Sequence, residues 1–411
     1  ELLGFYISGH PLTPFAGILE KYSLATTATL AQLPQRGMTR IGGMIAAVQQ
    51  GFSKKSNKPY AMLTLEDLAG YTAKIREPLR SKYKTNGAEW EVITAPPPSS
   101  GGTAMLSALN MLAPVELKGW SDAQSVHWVA ETMRRVFADR AAYLADADFA
   151  PVPVRGLIDP RYAEQRRATI DPQRASSSEQ VRAGNPMPFD AAESKSSEGA
   201  QPFDSAQDRQ AAPLQRREGE HTTHFSVVDA SGNAVANTYT INESYGAGAT
   251  TTTGFLLNDT MDDFTTQPGV PNKLFGLIQS DANAIAPGKR SLSSMTPTIV
   301  LRDGKLSFVT GSPGGPRIIS ATILSVLNWM RLSKDAQAAI NAPRFHHQWM
   351  PDTLYVEEIF SKDVAKELEQ RGHRVAVRSW IGQVEAIGID PKTGERLGAS
   401  DARRLGAAVG Y

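Results

Sequence analysis

The sequence predicts a layered core in which pairs of strands pack beneath helices, an α/β or α+β arrangement, and three observations carry that prediction. Two hairpin signals stand in the second half of the chain, around Ser231-Gly232-Asn233 and Asp303-Gly304. Long helical patterns flank them on both sides. The third observation is size: 411 residues, 41% hydrophobic and 21% charged, allow a sizeable core in one large or two to three ordinary domains.

Taken in order, residues 1–69 look unlike the rest. Strand-like runs at 40–48 and 60–65 flank a basic tip, Lys54-Lys55-Ser56-Asn57-Lys58, which reads as a solvated turn or as the phosphate-contacting hairpin of an oligonucleotide-binding barrel. Residues 95–102, Ala-Pro-Pro-Pro-Ser-Ser-Gly-Gly, form a rigid-then-flexible connector into a helix at 104–112, and a plain capping loop is the simpler reading. A second helix is expected over 123–144 and a polar one over 161–167. From Ser176 to residue 221, Ser, Glu, Gln, Pro and Arg dominate, too little apolar surface to offset ordering entropy, so a flexible linker is expected. Strands follow at 224–229 and 234–241, then at 297–301 and 306–310. Residues 318–332 have the spacing of a buried helix, 362–370 are amphipathic, and a last pair of strands is expected at 375–377 and 383–389.

Composition excludes several classes of function. Lys and Arg number 43 against 42 Asp and Glu, so no whole-protein field draws the chain to nucleic acid or membrane. Cysteine is absent, which removes disulfides, thiolate metal sites and a cysteine nucleophile. No apolar run reaches the roughly 18 residues of a membrane-spanning helix, and no signal layout opens the chain. It begins on Glu1 rather than Met, which reads as a fragment or a processed form.

The chemistry starts at His221-Thr222-Thr223-His224, where the polar stretch gives way to a strand. A mid-chain threonine hydroxyl lacks a base. Cutting the His221–Thr222 bond would give Thr222 a free α-amine of reference pKa about 7.7 to 8.0, able to accept the hydroxyl proton. A buried or surface strand threonine is the bland alternative. Other residues strengthen the sharper one: Thr240 and Asn242 return across the hairpin, Asp263 offers a carboxylate for an ammonium, and Ser293 and Ser294 offer hydroxyls for a carboxylate. Gly314 and Gly315 leave a strand and enter a helix, where backbone amides can face an oxyanion. Together they describe an amino-acid-recognising acyl-transfer site.

These motifs resemble γ-glutamyltranspeptidase, an N-terminal-nucleophile hydrolase, in residues 95–102, 222–229, 232–242, 256–264, 291–300 and 310–319, in the stretch Asn341-Ala342-Pro343-Arg344-Phe345-His346-His347-Gln348-Trp349, and in the closing Gly410-Tyr411. The resemblance implies an α+β fold, the αββα sandwich of that class. It also implies autocleavage into two subunits and transfer or hydrolysis of γ-glutamyl groups from glutathione or another γ-glutamyl compound to an acceptor amino acid, a dipeptide or water. Under it, Thr222 is the nucleophile, Thr240 its hydrogen-bonding partner, Asn242 and Asp263 the amine-holding groups, Ser293 and Ser294 the carboxylate-holding groups, and Gly314 and Gly315 the oxyanion hole. No cofactor is implied, and His346-His347 is read as structural rather than as a metal site. Periplasmic or extracellular placement goes with the family. One departure is Thr260, where the family usually has Gln or Glu beside the amine.

The front of the chain departs further. The family's large subunit should contribute roughly a further quarter-thousand residues before Tyr71, including a substrate-carboxylate arginine and core strands. Instead, Glu1 to Leu12, the run Thr39-Arg40-Ile41-Gly42-Gly43 and the Lys-rich hairpin resemble part of the bacterial DNA polymerase III α subunit. The expected layout is therefore a polymerase-like fragment with a partial oligonucleotide-binding fold over 1–69, the end of a transpeptidase large subunit over 70–175, a linker over 176–221 and the small subunit over 222–411. A junction of two reading frames is expected near residue 70, with low stability or aggregation from the missing strands. A β-lactam-side-chain acylase of the same superfamily and a nucleic-acid-binding fragment are the alternatives; Asp263 with the serine pair argues against the first, and only residues 1–69 speak for the second.

Overall fold

The computed structural model describes residues 44–52, 59–66, 73–190, 222–248, 250, 256–272, 274–332 and 335–410. The chain divides into two compact units. The first contains an antiparallel hairpin of β1 (Met44–Phe52) and β2 (Pro59–Glu66), paired from Met44 opposite Glu66 to Phe52 opposite Pro59 with a shift of register between Ile45 and Ala47. Its basic tip lies outside the described residues.

The second unit is built on a six-stranded antiparallel sheet. Along it run β13 (Arg396–Ser400), β12 (Glu385–Ile389), β8 (Lys305–Gly311), β7 (Thr298–Arg302), β4 (Ala88–Thr94) and β3 (Leu79–Thr85). Tight turns explain two of its hairpins: Asn86 and Gly87 join β3 to β4, Asp303 and Gly304 join β7 to β8, and all four have the positive φ such turns demand. Alternation explains which face is buried, since Ala88, Trp90, Val92 and Thr94 point inward along β4.

One face carries helices. α1 (Ser100–Leu112), α2 (Ala123–Tyr143) and α6 (Arg317–Leu327) pack together, and Phe308 of β8 stacks on Trp329, in the π-turn at Asn328–Leu332 that follows α6, with ring centroids 4.8 Å apart. Three short helices, α3 (Val154–Leu157), α4 (Pro160–Ala168) and α5 (Met187–Asp190), follow α2 in the chain. The opposite face receives a two-stranded hairpin, β5 (Thr222–Val228) with β6 (Ala234–Thr240). Buried His224 lies against Gly311 there, where any Cβ would collide with the imidazole. The result is three stacked layers: helices, sheet, second sheet.

α2 shows how a polar sequence becomes a core helix. Asp122 caps it, accepting from the Ser125 amide at 2.8 Å, and the charges it buries are mostly paired. Glu131 lies 3.0 Å from Arg134 and 2.7 Å from Arg135, and Asp139 lies 3.1 Å from Arg166 of α4. Arg134 also reaches Asp352 and Ser178, tying the helix to the last third of the chain.

Two expectations fail here. Residues 176–190 are packed rather than linker-like: Ser178 and Val181 are buried, their carbonyls accept from the Trp349 indole at 2.8 and 3.0 Å, and Tyr143 donates to the Gly184 carbonyl at 2.7 Å. Residues 191–221 lie outside the described residues. The strands near 375 and 385 are also not partners. β11 (Val375–Arg378) joins a separate sheet with β10 (Leu354–Glu357), parallel to it across α8 (Lys362–Gln370), and with β9 (Phe345–His346), while β12 pairs with β8 and β13. The remaining helix, α7 (Ala336–Asn341), packs against β12 and β13.

Candidate active site

Thr222 opens β5 directly opposite Thr240, the last residue of β6, because the seven-residue strands pair in full register across the Ser231-Gly232-Asn233 turn. The Thr222 hydroxyl donates to Thr240 Oγ1 at 3.0 Å, and Thr240 Oγ1 also accepts from the Asn242 amide at 2.8 Å. Asn242 adopts φ +74°, a left-handed conformation asparagine tolerates, as the chain leaves the strand. Two contacts accepted by the one Thr240 oxygen fix the direction of the Thr222 O–H bond.

Asp263 ends a 3₁₀ turn at Thr260–Asp263. Its backbone carbonyl accepts from Gln279 at 3.1 Å and from the fully buried Asn283 at 2.8 Å, while Asn283 Oδ1 takes the Leu292 amide at 3.0 Å. One side chain thus couples the aspartate turn to the serine segment. Burial pushes the Asp263 carboxyl up to about 7; Arg140 pulls the other way, Asp259 and Asp262 add to the rise, and a hydrogen bond with Asn242 opposes it. Thr260 bonds Asn258 at 2.6 Å and does not line the cavity.

Ser293 and Ser294 are held by the connector before α1. The Ser293 amide donates to the Pro98 carbonyl at 2.9 Å, and both the amide and the hydroxyl of Ser100 donate to the Ser293 carbonyl, at 2.8 and 2.7 Å. Ser99 donates to the Met295 carbonyl. Gly101 and Gly102 allow this approach, since a Cβ on either would strike Thr296 or the carbonyls of Ser294, Met295 and Ala95. The connector is therefore more than a capping loop.

Thr222, Thr240, Asn242, Asp263, Ser293, Ser294 and Gly315 line one cavity of about 30 Å³. Gly314 precedes it in the turn from β8 into α6 and is not among the lining residues. Gly314 has φ +133° and Gly315 φ +56°, and a Cβ on Gly315 would sit 2.6 Å from the Phe275 ring. Arg140 of α2 also lines the cavity, and sequence reasoning missed it. A wider groove of about 490 Å³ lies between Val115 and Trp128, but it is edged by exposed Glu116 and Lys118 and gathers no hydroxyls.

His346 and His347 point apart: His346 bonds Ser320 at 2.7 Å and Gln348 at 2.9 Å, while His347 lies 3.3 Å from Asp352. Among the described residues, no group of three or more His, Asp or Glu side chains could hold a metal ion.

A helix layer over a sheet that carries a second sheet, with a threonine at the start of an inner strand beside a polar cavity, defines the amino-terminal-nucleophile hydrolase class. Comparison with known proteins is more specific. The family model for γ-glutamyltranspeptidase matches residues 7–411, and the chain belongs to that family. It is 40% identical over 361 residues to a glutathione hydrolase proenzyme of Escherichia coli, covering 87% of this chain and 56% of that one. It is 32% identical over 408 residues to an acylase proenzyme from a Pseudomonas species, covering 98% of this chain and 63% of the relative. A cephalosporin acylase from Bacillus halodurans shares the fold, with a TM-score of 0.65 at 22% identity over 84% of this chain and 55% of that one. The chain thus spans a little over half the length of the first of these relatives. The family match runs through residues 7–69 and gives no support to a polymerase-derived segment or to a junction near residue 70.

Proposed function

We propose that this chain carries the catalytic half of a γ-glutamyl transferase or hydrolase acting on glutathione and other γ-glutamyl amides, with Thr222 as a nucleophile made by cleavage of the His221–Thr222 bond. The observation that carries the reading is the Thr222–Thr240 hydrogen bond at 3.0 Å inside a cavity that has Asp263 and the serine pair in its lining. Under this reading residues 70–175 are the end of a large subunit, and Thr222 begins the small one. Residues 176–190, which pack against Tyr143 and Trp349, go with the large subunit rather than with a linker.

The chemistry follows from the residues. Thr222 Oγ1 attacks the γ-carbonyl carbon, and its proton passes to the new α-amine. Negative charge develops on the carbonyl oxygen, toward which the amides of Gly314 and Gly315 are assigned. Collapse of the tetrahedral species breaks the C–N bond, and the departing amine takes the proton. The resulting Thr222 ester is then opened by water or by an acceptor amine, and neither step needs a cofactor. Asp263 with Asn242 would hold the substrate's ammonium and Ser293 with Ser294 its carboxylate.

The acylase relative keeps a second reading in view, a related enzyme on β-lactam side chains. Asp263 disfavours it, because a second polar anchor suits an amino-acid head group. Hydrolysis of γ-glutamyl-4-nitroanilide against its glutaryl counterpart, which lacks the amine, separates the two: preference for the glutaryl compound overturns the transpeptidase reading. Nucleic acid is not an expected partner. Periplasmic or extracellular placement accords with the family, and no helix among the described residues is long and apolar enough to cross a membrane.

A further inference from the structure

Buried His346 and Gln348 have no part in the proposed reaction, yet they belong to a run of hydrogen bonds that ends on the wall of the cavity. The Gln348 amide nitrogen donates to two carbonyls, that of Phe275 at 3.0 Å and that of Met350 at 3.2 Å. Carbonyls only accept, so the amide has one orientation, with Oε1 facing His346 Nε2 at 2.9 Å. Nε2 must then carry a proton. Burial holds the imidazole neutral, which leaves Nδ1 bare to accept from the Ser320 hydroxyl at 2.7 Å. Ser320 lies in α6, the helix that Gly314 and Gly315 lead into. At the other end, Phe275 lines the cavity together with Gly315, its ring so close that a Cβ on the glycine would sit 2.6 Å away. Asn272 Oδ1 takes the amides of Phe275 and Leu277 at 3.0 and 3.1 Å, so Phe275 is held by Asn272 from its own segment and by Gln348 from the segment after β9.

We infer that Gln348 is a positioning residue for the acyl-transfer step, holding the Phe275 ring against Gly315 and so fixing the direction of the oxyanion turn. The inference rests on the proposed γ-glutamyl reading and adds to it a residue that does not itself line the cavity. An oxyanion donor acts through a preset direction, and Gly315, at φ +56°, has no side chain with which to hold one. Its direction depends on what packs against it. The hydrogen bonds from Ser320 through His346 and Gln348 to the Phe275 carbonyl tie that packing to the helix that begins just after the glycine, so the turn is tethered on both sides. The substrate anchors are held elsewhere: the Asp263 carbonyl by Asn283, and the serine pair by Pro98 and Ser100. Loss of Gln348 therefore reaches the reacting carbonyl before it reaches the substrate's ammonium or carboxylate.

The test is steady-state hydrolysis of γ-glutamyl-4-nitroanilide by the full chain as parent, Gln348→Met, Phe275→Ala and the double variant. Gln348→Met keeps the length of the side chain and removes its hydrogen bonds. Its kcat should fall by about tenfold or more, the scale for misplacing a reacting group, with KM within about twofold of the parent. In the Phe275→Ala background the same substitution should change kcat by less than about twofold, because the ring through which Gln348 acts is gone. Losses that multiply in the double variant assign Gln348 a merely structural role and overturn the inference. A parental kcat in Gln348→Met overturns it as well, whether or not KM rises. If Gln348→Met does not fold, Gln348→Asn replaces it, since the shorter amide cannot reach His346 and Phe275 together: parental kcat there overturns the inference, and a reduced kcat at parental KM upholds it. A parent without turnover instead sinks the γ-glutamyl reading itself.

Discussion

Thr222 and Thr240 face each other at the open end of one hairpin, and the hydroxyl of the first donates to that of the second at 3.0 Å. Strand register makes this contact, so anything that shifts β5 against β6 by one residue turns Thr222 to the other face. The hairpin is itself held by buried His224, which bonds Thr238 at 2.7 Å and Ser226 at 3.1 Å and is kept neutral by burial, its pKa lowered to about 3.

Thr222→Ala should yield a single uncleaved chain with activity reduced by at least about a thousandfold, since nucleophile and base are lost together. Electrophoresis under denaturing conditions and nitroanilide release check the two effects. Thr240→Val keeps the shape of the strand but removes the acceptor; cleavage and turnover should slow by roughly ten- to a hundredfold, the range for misorienting a reacting group. Parental rates in Thr240→Val would detach the hydrogen bond from function.

The pH dependence follows from Asp263. A carboxyl raised to about 7 is largely protonated below neutrality, so the anion that should hold an ammonium is lost as pH falls through that value. KM for a γ-glutamyl substrate should therefore rise on acidification from pH 8 to 6. Asp263→Asn should give a high KM that no longer depends on pH across that interval.

Gly101→Ala tests the connector. The added methyl meets Thr296 and two backbone carbonyls, so either α1 or the serine segment must move. Thermal unfolding should show a loss of about 1 to 3 kcal/mol, the usual cost of overpacking, with a raised KM in whatever folds. Gly232→Ala meets no neighbouring atom, and though its positive φ still strains the turn, it should leave KM unchanged.

Glu131 tests the helix layer. Burial alone would raise its pKa, but Arg134, Ser176 and Arg135 outweigh that and hold it at about 2. A depressed carboxyl contributes stability that is present above its unfolded value of about 4.3 and is lost as pH falls through about 2. Glu131→Gln leaves two buried guanidinium groups underpaired and should cost about 3 to 5 kcal/mol at pH 7, with a smaller difference from the parent at pH 2. Denaturant melts at the two pH values check both the size and the sign.

Much of the hairpin and its threonines was legible because strand alternation and a Ser-Gly-Asn turn are local signals, and local signals survive in sequence. The Asp263 and Ser293-Ser294 motifs were legible as chemistry, while their shared cavity came from the fold. Arg140 was not legible. Inside a helix as polar as α2, an arginine reads as surface, and only the fold shows that this one is buried and lines the cavity. Residues 176–190 misled for the same reason in reverse. Their polar groups look solvated, yet Ser178 and Gly184 spend theirs on Arg134, Trp349 and Tyr143. The strands near 375 and 385 looked like partners because they are neighbours in sequence, whereas α8 carries the chain over to a parallel pairing with β10 that no turn signal announces.

The central claim is that Thr222 becomes an amino terminus. Amino-terminal sequencing of the purified chain after incubation at neutral pH tests it most directly. The account predicts two fragments, the smaller beginning Thr222-Thr223-His224. A folded chain that remains intact, or one cut at any other bond, would contradict it.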